Sequence, residues 1–515
     1  MIRVLQIVAV TVSGLFLAAA LGFVLLEKTW VGKEPSTPEE YFLYGSTGTE
    51  LMPLPAFQVL PDIFPENFQP AGKDAGDWID QFGFVRGKEG VNEGLPLGVD
   101  VSYYRPKSGA PTPVPFVGFN CAACHTAKIR RSAGDEGVTV YGMGNSAIDL
   151  VAFGEAVKTS ILDPRLTPDL IASTYESKFH KSLGLTDKAM ISVWLQGARK
   201  GIRADLPMRG WPIAGPQLRD SRYLPSGPGR NEPMKETIRF LIDQTPAPTG
   251  GSSEIPSLYH QERRDWAQYD GSVRDPMTRN SLAALGVGAS VVNLRVPGIL
   301  HTLQQSYQYL YGHDGPKYTD IFPDQKIDTA KAERGNKVYR EYCGDCHGWP
   351  DGSGGWVKGK RQGDVVPQPE VGTDDSRVNF RYYNESGQLI YDFFPDGHPL
   401  KPKREDVRAG HGYINYALEA SFSRAPYLHN GSVATLAELI NLKPRRSVLY
   451  RGSNVYDPVN VGLLIPDKPD AKTYFRFDTT AYGNGNQGHD YPWAYKGKGW
   501  NEAELTDLLE YLKTF

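Results

Sequence analysis

The most apolar part of the chain lies at its amino terminus. Residues Val4 to Leu26 carry no charge and follow the short start Met1-Ile2-Arg3. An uncharged stretch of this length is typical of a segment that spans a bilayer. A cleavable signal peptide is the alternative, but Ala18-Ala19-Ala20, the one candidate cleavage site, lies inside the apolar run. The pattern therefore favours a retained amino-terminal transmembrane helix.

Helical periodicity is clear in two segments of the carboxyl-terminal third. Asp328 fits as the N-cap of a helix over 329–342, in which Gly335 would let another helix approach closely. Asn501 fits as the cap of a helix over 502–515. The leucines of this terminal segment fall on one face: Leu505, Leu508, Leu509 and Leu512.

The remaining segments show weaker patterns. Helical periods appear over 161–203 and 236–243, whereas 207–233 has the composition of a loop. Residues 29–116 are rich in Pro, Gly and aromatic side chains and predict an extended lead-in that wraps a core. The stretch 352–410 is full of Gly, Pro and charge and predicts surface loops. The fold class predicted from these patterns is mainly α, with long loops.

Length and charge limit the possible functions. The chain has 515 residues, enough for two or three domains with sizeable cores. It carries 56 basic and 59 acidic residues, so nothing marks it as a nucleic-acid binder.

All four cysteines belong to two copies of one motif. These copies are Cys121-Ala122-Ala123-Cys124-His125 and Cys343-Gly344-Asp345-Cys346-His347, with no other repeat of fixed period in the chain. Two thiols three positions apart can each add to one vinyl group of a porphyrin, while the next histidine reaches the iron. A redox disulfide or half of a zinc site would not explain the histidine in both copies. We therefore predict two covalent haem c groups on Cys121, Cys124, Cys343 and Cys346, with His125 and His347 as iron ligands.

The motifs also suggest how the chain is divided. We expect an anchor or signal over 1–28, an amino-terminal haem domain over 29–325 and a carboxyl-terminal haem domain over 326–515. The first motif follows closely on Pro113-Val114-Pro115-Phe116, so the helix that usually precedes a haem motif is not expected there. Haem attachment fits the periplasmic side of a bacterial inner membrane, or the periplasm itself if the amino-terminal segment is cleaved.

The positions of the methionines limit which residue can be the second axial ligand of the second haem. All seven methionines precede Cys343, whereas the sixth ligand in class I cytochromes c usually follows the haem motif. A histidine is therefore expected. His489 is preferred because it ends the glycine-rich loop 484–488 shortly before the terminal helix, and His429 is the alternative. His398 and His411 are interpreted as ordinary surface or hydrogen-bonded residues.

No distal ligand of the first haem is singled out. Met143 is nearest in sequence, but a methionine in such a setting is more often a packing residue. An open sixth position, where oxygen or peroxide could bind, is the other interpretation. The further candidates between the motifs are Met190, Met208, Met234, Met277, His180, His260, His301 and His313.

Several segments resemble the bacterial di-haem cytochrome c peroxidase superfamily, and within it the branch of the di-haem rubber oxygenases. They are Val117 to Asn120, Thr126, Arg279-Asn280 with Leu285 to Gly288, and Arg424 to Ser432. The resemblance runs from about residue 90 to the carboxyl terminus, and Lys326 to Phe515 is similar to the class I cytochrome c fold. The haem motifs are its most specific part.

The resemblance implies a division of labour between the haems. The amino-terminal haem would react with peroxide or dioxygen, and the second, held by two histidines, would pass electrons or tune the first. By motif, His125 and His347 resemble the proximal ligands and His489 the second ligand. Tyr269-Asp270-Gly271 departs from the pattern, because a tryptophan is expected before Asp-Gly, and this leaves the substrate undefined.

No catalytic residue is identified from the sequence. The candidate distal groups Glu232, Glu254, His260 and His301 are each more simply explained as structural residues. Core packing explains Trp211, Trp266 and Tyr269 as well as a position between the haems does.

Two functions remain open. The first is a di-haem peroxidase or haem-dependent oxygenase that exchanges electrons with a periplasmic donor or acceptor. The alternative is a membrane-anchored electron-transfer cytochrome without its own substrate, held at the inner membrane by its amino-terminal segment.

Overall fold

The computed structural model describes residues 14, 35–68, 78–88, 92–205, 226–231, 252–378, 391–466, 469, 474–491 and 501–515. Of these residues, 39% are helical and 15% are in strands. The predicted fold class, mainly α with an amino-terminal transmembrane helix, is therefore wrong. None of the described helices is both long and apolar enough to cross a membrane, and Val4 to Leu26 lies outside the described residues apart from Gly14.

Helices occur in both halves of the chain. The longer helices are α1 (Pro38–Tyr44), α2 (Leu54–Ile63), α3 (Leu150–Leu162), α4 (Pro168–Phe179), α5 (Leu185–Asp205), α6 (Pro276–Gly286), α7 (Pro297–Leu310), α8 (Thr329–Tyr342) and α9 (Glu502–Leu512). Four-residue helices cover Pro65–Phe68, Trp78–Gln81, Cys121–Cys124, Tyr318–Ile321, Gly344–His347, Gln368–Val371 and Leu436–Leu439. Turns of 3₁₀ helix cover Asn92–Gly94, Gln261–Arg263, Asn293–Arg295, Arg404–Asp406 and Ser421–Arg424.

The strands are short and pair antiparallel. A three-stranded sheet has the order β1 (Met52–Pro53), β3 (Pro111–Phe119), β2 (Val99–Tyr104). The other strands form pairs: β4 (Thr126–Ile129) with β5 (Val138–Tyr141), β6 (Arg230–Asn231) with β7 (Ser253–Glu254), β8 (Trp349–Pro350) with β9 (Trp356–Val357), β10 (Val365–Pro367) with β11 (Gly412–Ile414), β12 (Val448–Arg451) with β15 (Phe475–Asp478), and β13 (Tyr456–Asp457) with β14 (Gly462–Leu463). Strands of two to four residues are too short to show alternation in the sequence, so they were not predicted.

The segment 29–116 is not the extended lead-in that its composition predicts. Helix α2 is buried at every position from Leu54 to Leu60, and only Asp62 near its end is exposed, so a helical period is not visible in the sequence. Pro55 and Pro61 add the composition of a loop. The periods over 161–203 are confirmed by α4 and α5, whereas 236–243 and most of 207–233 lie outside the described residues.

The stretch 352–410 was expected to form surface loops, and this is wrong in part. Phe393, Phe394, Leu400 and Val407 are buried and share a hydrophobic cluster with residues of α6 and α7. Aromatic and aliphatic side chains dispersed among glycine, proline and charge give no period, so their burial could not be predicted. Residues 379–390 lie outside the described part.

The haem motifs follow different elements, as expected. Strand β3 leads through Asn120 into the first motif, and the Asn120 Oδ1 caps the turn by accepting from the Ala122 N–H at 2.9 Å. Helix α8 runs directly into Cys343. Gly98 brings β2 against the first motif, because a Cβ at this residue would lie 1.8 Å from the Ala123 nitrogen.

The predicted pair of terminal helices is confirmed. Asp328 caps α8, and Asn501 forms a capping box with Glu504 at the start of α9. The leucine face of α9 is buried. A Cβ at Gly335 would lie 2.0 Å from the Asp507 carbonyl oxygen, so the two helices approach closely at this residue.

The largest hydrophobic cluster combines residues from both sides of the predicted domain boundary at 325. Ile129, Met143 and Tyr259 belong to the same cluster as Phe422 and Leu508. The division of the chain into 29–325 and 326–515 stays a prediction.

We predict that Gly335→Ala destabilises the protein. The added methyl group has to displace the Asp507 carbonyl, and overpacking of this kind costs about 1–3 kcal/mol. Gly197→Ala in α5 is the matched control, because nothing lies within 4 Å of a Cβ there. In chemical unfolding, the control should be neutral or slightly stabilising. Equal midpoints for the two variants would contradict the close contact at Gly335.

Candidate haem sites

Each motif histidine is oriented by a backbone carbonyl. His125 Nδ1 lies 2.9 Å from the Pro256 oxygen, and His347 Nδ1 lies 2.6 Å from the Tyr416 oxygen. A carbonyl can only accept, so in both rings the proton is on Nδ1 and the lone pair is on Nε2. A hydrogen bond of this kind is the usual way to orient a histidine that binds a metal.

Burial keeps both imidazoles neutral. It lowers the pKa of His125 to about 4, and it also lowers the pKa of His347. A neutral imidazole is the form that binds iron. The four cysteine sulfurs are free of disulfides, as covalent attachment to porphyrin requires.

Each motif lines its own cavity. The first cavity, about 180 Å³ in volume, is lined by Cys121, Cys124 and His125. The second cavity, about 260 Å³, is lined by Cys343, Cys346 and His347. Thiols, imidazole and a mainly apolar wall are the donor set and surroundings that covalent haem requires, so both cavities fit the group.

His489 lies opposite His347 across the second cavity. Their ring centroids are 6.2 Å apart. Two imidazoles that bind one iron from opposite faces at about 2 Å each would have centroids about 6 Å apart. The His489 backbone N–H donates to the Val371 oxygen at 2.7 Å, whereas its Nδ1 has no partner among the described residues. Burial, together with His347, lowers the pKa of His489 to about 3.

His429 also lines the second cavity, but its ring is engaged elsewhere. It stacks on Tyr413 with centroids 4.2 Å apart, and its Nε2 lies 3.1 Å from the Tyr413 hydroxyl. His398 Nε2 is hydrogen bonded to the Val291 oxygen, and His411 is exposed. Among the four downstream histidines, His489 therefore has the geometry that fits a ligand best, and the axial assignment itself stays a prediction.

The first cavity contrasts with the second. Its described lining contains no histidine besides His125 and no methionine. Met143 is fully buried in the largest hydrophobic cluster, as the packing interpretation expects. Six of the other candidates line neither cavity: Met190, Met277, His180, His260, His301 and His313. The remaining two, Met208 and Met234, lie outside the described residues.

Helix α6 contributes part of the lining of the first cavity. Arg279, Asn280, Ala283 and Ala284 of this helix line it, followed by Val287. A guanidinium, an amide and small apolar groups from α6 and the residue after it therefore form part of this lining.

A shared wall separates the two cavities. Six residues line both of them: Glu254, Ile255, Pro256, Arg264, Tyr269 and Tyr416. Tyr416 connects the two sites directly. Its carbonyl accepts a hydrogen bond from His347 at the second site, and the residue also lines the first cavity. Neither Arg264 nor Tyr416 was predicted as a site residue.

The other predicted groups are placed as follows. Glu254 and Tyr269 lie on the shared wall, whereas Trp266 lies under the Arg408 guanidinium at 3.9 Å and lines neither cavity. His260 bonds Glu262 and Asp314, which is the structural role expected of it. His301 packs edge-on against Tyr41. Glu232 and Trp211 lie outside the described residues.

Residues 412–451 match the family of RoxA-like, cytochrome c-like proteins. The matched segment contains Tyr416 and His429. It is similar to a cytochrome c. A domain of this kind implies covalently bound haem c, and the chemistry indicated at this level is that of a haem cytochrome oxidoreductase.

Two proteins of Sinorhizobium fredii (strain NBRC 101917 / NGR234) are similar to the chain. The uncharacterized protein y4iJ is 25% identical over an alignment of 527 positions, which covers 85% of each chain. The uncharacterized protein y4iM is 28% identical over 302 residues, which cover 51% of this chain and 64% of y4iM, just under two thirds of its length. No solved structure matches the chain.

We predict that His489→Ala leaves the second iron high-spin or water-ligated, because the imidazole opposite His347 is lost. His429→Ala is the control, since its ring is held by Tyr413, and this variant should remain low-spin. Electron paramagnetic resonance and the visible spectrum of the oxidised protein distinguish the two states. A high-spin second iron in His429→Ala but not in His489→Ala would identify His429 as the ligand. An unchanged spin state in both variants would exclude both histidines as ligands.

Proposed function

We propose that the protein is a periplasmic di-haem c oxidoreductase in which peroxide or dioxygen reacts at the first haem, while the second haem transfers electrons. The observation that carries the proposal is the contrast between the cavities. In the second cavity His347 and His489 face each other, whereas His125 is the only histidine in the described lining of the first cavity. An iron with an open position is where oxygen species bind.

When bound, haem would supply the iron that binds and reduces the oxygen species. The residues of the chain do the rest. His125 is held by the Pro256 carbonyl in the tautomer that presents Nε2 to the iron. Ala283, Ala284 and Val287 contribute apolar groups to the wall of the first cavity.

Glu254 is the one carboxyl group in the described lining of the first cavity. It is buried, and its Oε2 has no hydrogen-bond partner in the described part of the chain. We assign to it the role of holding a proton for the reaction, and it also interacts electrostatically with Arg451 and Arg230.

The shared wall supports electron transfer between the sites. Tyr416 and Tyr269 place aromatic rings between the cavities, and Tyr416 is hydrogen bonded to the proximal ligand of the second haem. A periplasmic donor or acceptor would exchange electrons through the second haem. The shared wall would equally allow electron transfer in the alternative function, an electron-transfer cytochrome in which both irons are six-coordinate.

Carbon monoxide separates the two functions, because it binds readily only to a ferrous haem with an open position. In protein matured with full haem-attachment machinery, the mass should show two haems and the reduced spectrum should show one haem that binds carbon monoxide. His489→Ala should open the sixth position of the second haem, so that this variant binds two molecules of carbon monoxide. A wild-type protein with two haems and no carbon monoxide binding would favour the electron carrier, and fewer than two haems would overturn the di-haem proposal.

A further inference from the structure

The structure contains a repeat that the sequence did not reveal. Residues 253–273 and 413–433 form the same loop, with each position 160 residues from its counterpart, as at Arg264 and Arg424. Both loops supply the carbonyl that orients a motif histidine and then continue into a 3₁₀ turn. Each closes with an antiparallel bridge, which joins Ala267 to Val273 in the first loop and Tyr427 to Val433 in the second.

The backbone angles follow the same register. Positive φ occurs at His260 (47°) and at Ala420 (45°), and again at Gly271 (64°) and Gly431 (65°). Only five positions keep the same residue in both loops, which explains why the repeat is not visible in the sequence. They are Leu258 and Leu418, Arg264 and Arg424, Gly271 and Gly431, Ser272 and Ser432, and Val273 and Val433.

The arginine common to both loops has different partners in each. Arg424 Nη2 lies 2.8 Å from Glu419 Oε2, and its Nε donates to the Glu419 carbonyl at 2.7 Å. Tyr259 occupies the position of Glu419 in the first loop, so Arg264 has no corresponding acid. Glu419 is already engaged, because its other carboxylate oxygen accepts from Arg263 at 3.4 Å.

Arg264 is therefore a buried cation without an ion-pair partner among the described residues. It is 8% exposed, and its Nε and Nη2 have no hydrogen-bond partner in that part of the chain. Its guanidinium lies over the Tyr416 ring at 5.0 Å from the centroid, on the wall shared by the cavities. A buried charge is unfavourable unless it is paired, so an anion is expected here.

Arg279 adds a second guanidinium to the first cavity. It is 7% exposed, its Nη1 donates to the Gln261 Oε1 at 3.2 Å, and its Nε has no partner among the described residues. Burial lowers the pKa of Arg264 to about 10, and the positive charges of Arg424 and Arg279 act in the same direction. Arg264 and Arg279 thus both line the first cavity, and no described carboxylate forms an ion pair with either.

We propose that Arg264 and Arg279 bind the propionate carboxylates of the first haem, and that Arg264 thereby raises the reduction potential of this haem relative to a neutral site. The inference rests on the proposed function, since it requires a haem in the first cavity. Guanidinium and carboxylate match in charge and in hydrogen-bond geometry, and haem carries its carboxylates on two flexible arms. A fixed positive charge beside the iron favours the reduced state, which carries one positive charge less.

Arg264→Gln tests the inference, with Arg264→Lys as the variant that keeps the charge. Arg199→Gln is the control, because Arg199 bonds the carbonyls of Ile161, Asp163 and Leu166 and lines neither cavity. Mass spectrometry establishes that both haems are present. Spectroelectrochemistry and resonance Raman spectroscopy of the propionate bending modes are the measurements.

In Arg264→Gln, we expect a lower potential for the haem that binds carbon monoxide and a shift of its propionate modes. Arg264→Lys should shift the propionate modes but keep the potential nearer to that of the wild type. If Arg264→Gln does not fold, the propionate modes of Arg264→Lys still test the inference. Unchanged propionate modes in the arginine variants, with both haems present, would overturn the inference alone. A wild-type protein without a haem on the first motif would overturn the proposed function instead.

Discussion

Two hydrogen bonds from histidine to backbone determine how both sites are built. His125 donates to a carbonyl 131 positions away in sequence, and His347 donates to one 69 positions away. Each bond fixes the ring tautomer and directs Nε2 into a cavity. The two carbonyls belong to equivalent positions of a repeated loop, and residues of both copies of this loop lie on the wall that the two cavities share.

The two sites differ in the helix that comes after the repeated loop. After Val273 the chain forms α6, eleven residues long, which contributes side chains to the lining of the first cavity. After Val433 it forms only the four-residue helix Leu436–Leu439. At the second site His489 faces His347, with ring centroids 6.2 Å apart. The two sites therefore differ both in the helix that follows the loop and in the presence of a facing histidine in the described lining.

Charge distinguishes the sites as well. The arginine of the repeated loop has an acidic partner at the second site and none at the first, because Tyr259 replaces Glu419. In the proposed arrangement the partner of Arg264 is a haem propionate, whereas the partner of Arg424 is Glu419. The positive charge added at the first site would raise the potential of its haem and draw electrons toward it. That direction is the one an oxygen-reducing site requires.

The sequence alone determined the features that depend on residues close together in the chain. The motif chemistry needs residues that lie within five positions of one another, so the sequence alone was enough to predict two haem sites and their proximal histidines. The caps and leucine face of α9 and the small residue of α8 are likewise local, and the structure contains them. The tertiary structure decided the features that involve distant segments: His489 rather than His429 opposite His347, the burial of Phe394, the wall of Arg264 and Tyr416, and a repeat with few shared residues. Strands of two to four residues and a helix buried at seven consecutive positions leave no period in the sequence, so only the packing of remote segments against one another defines them.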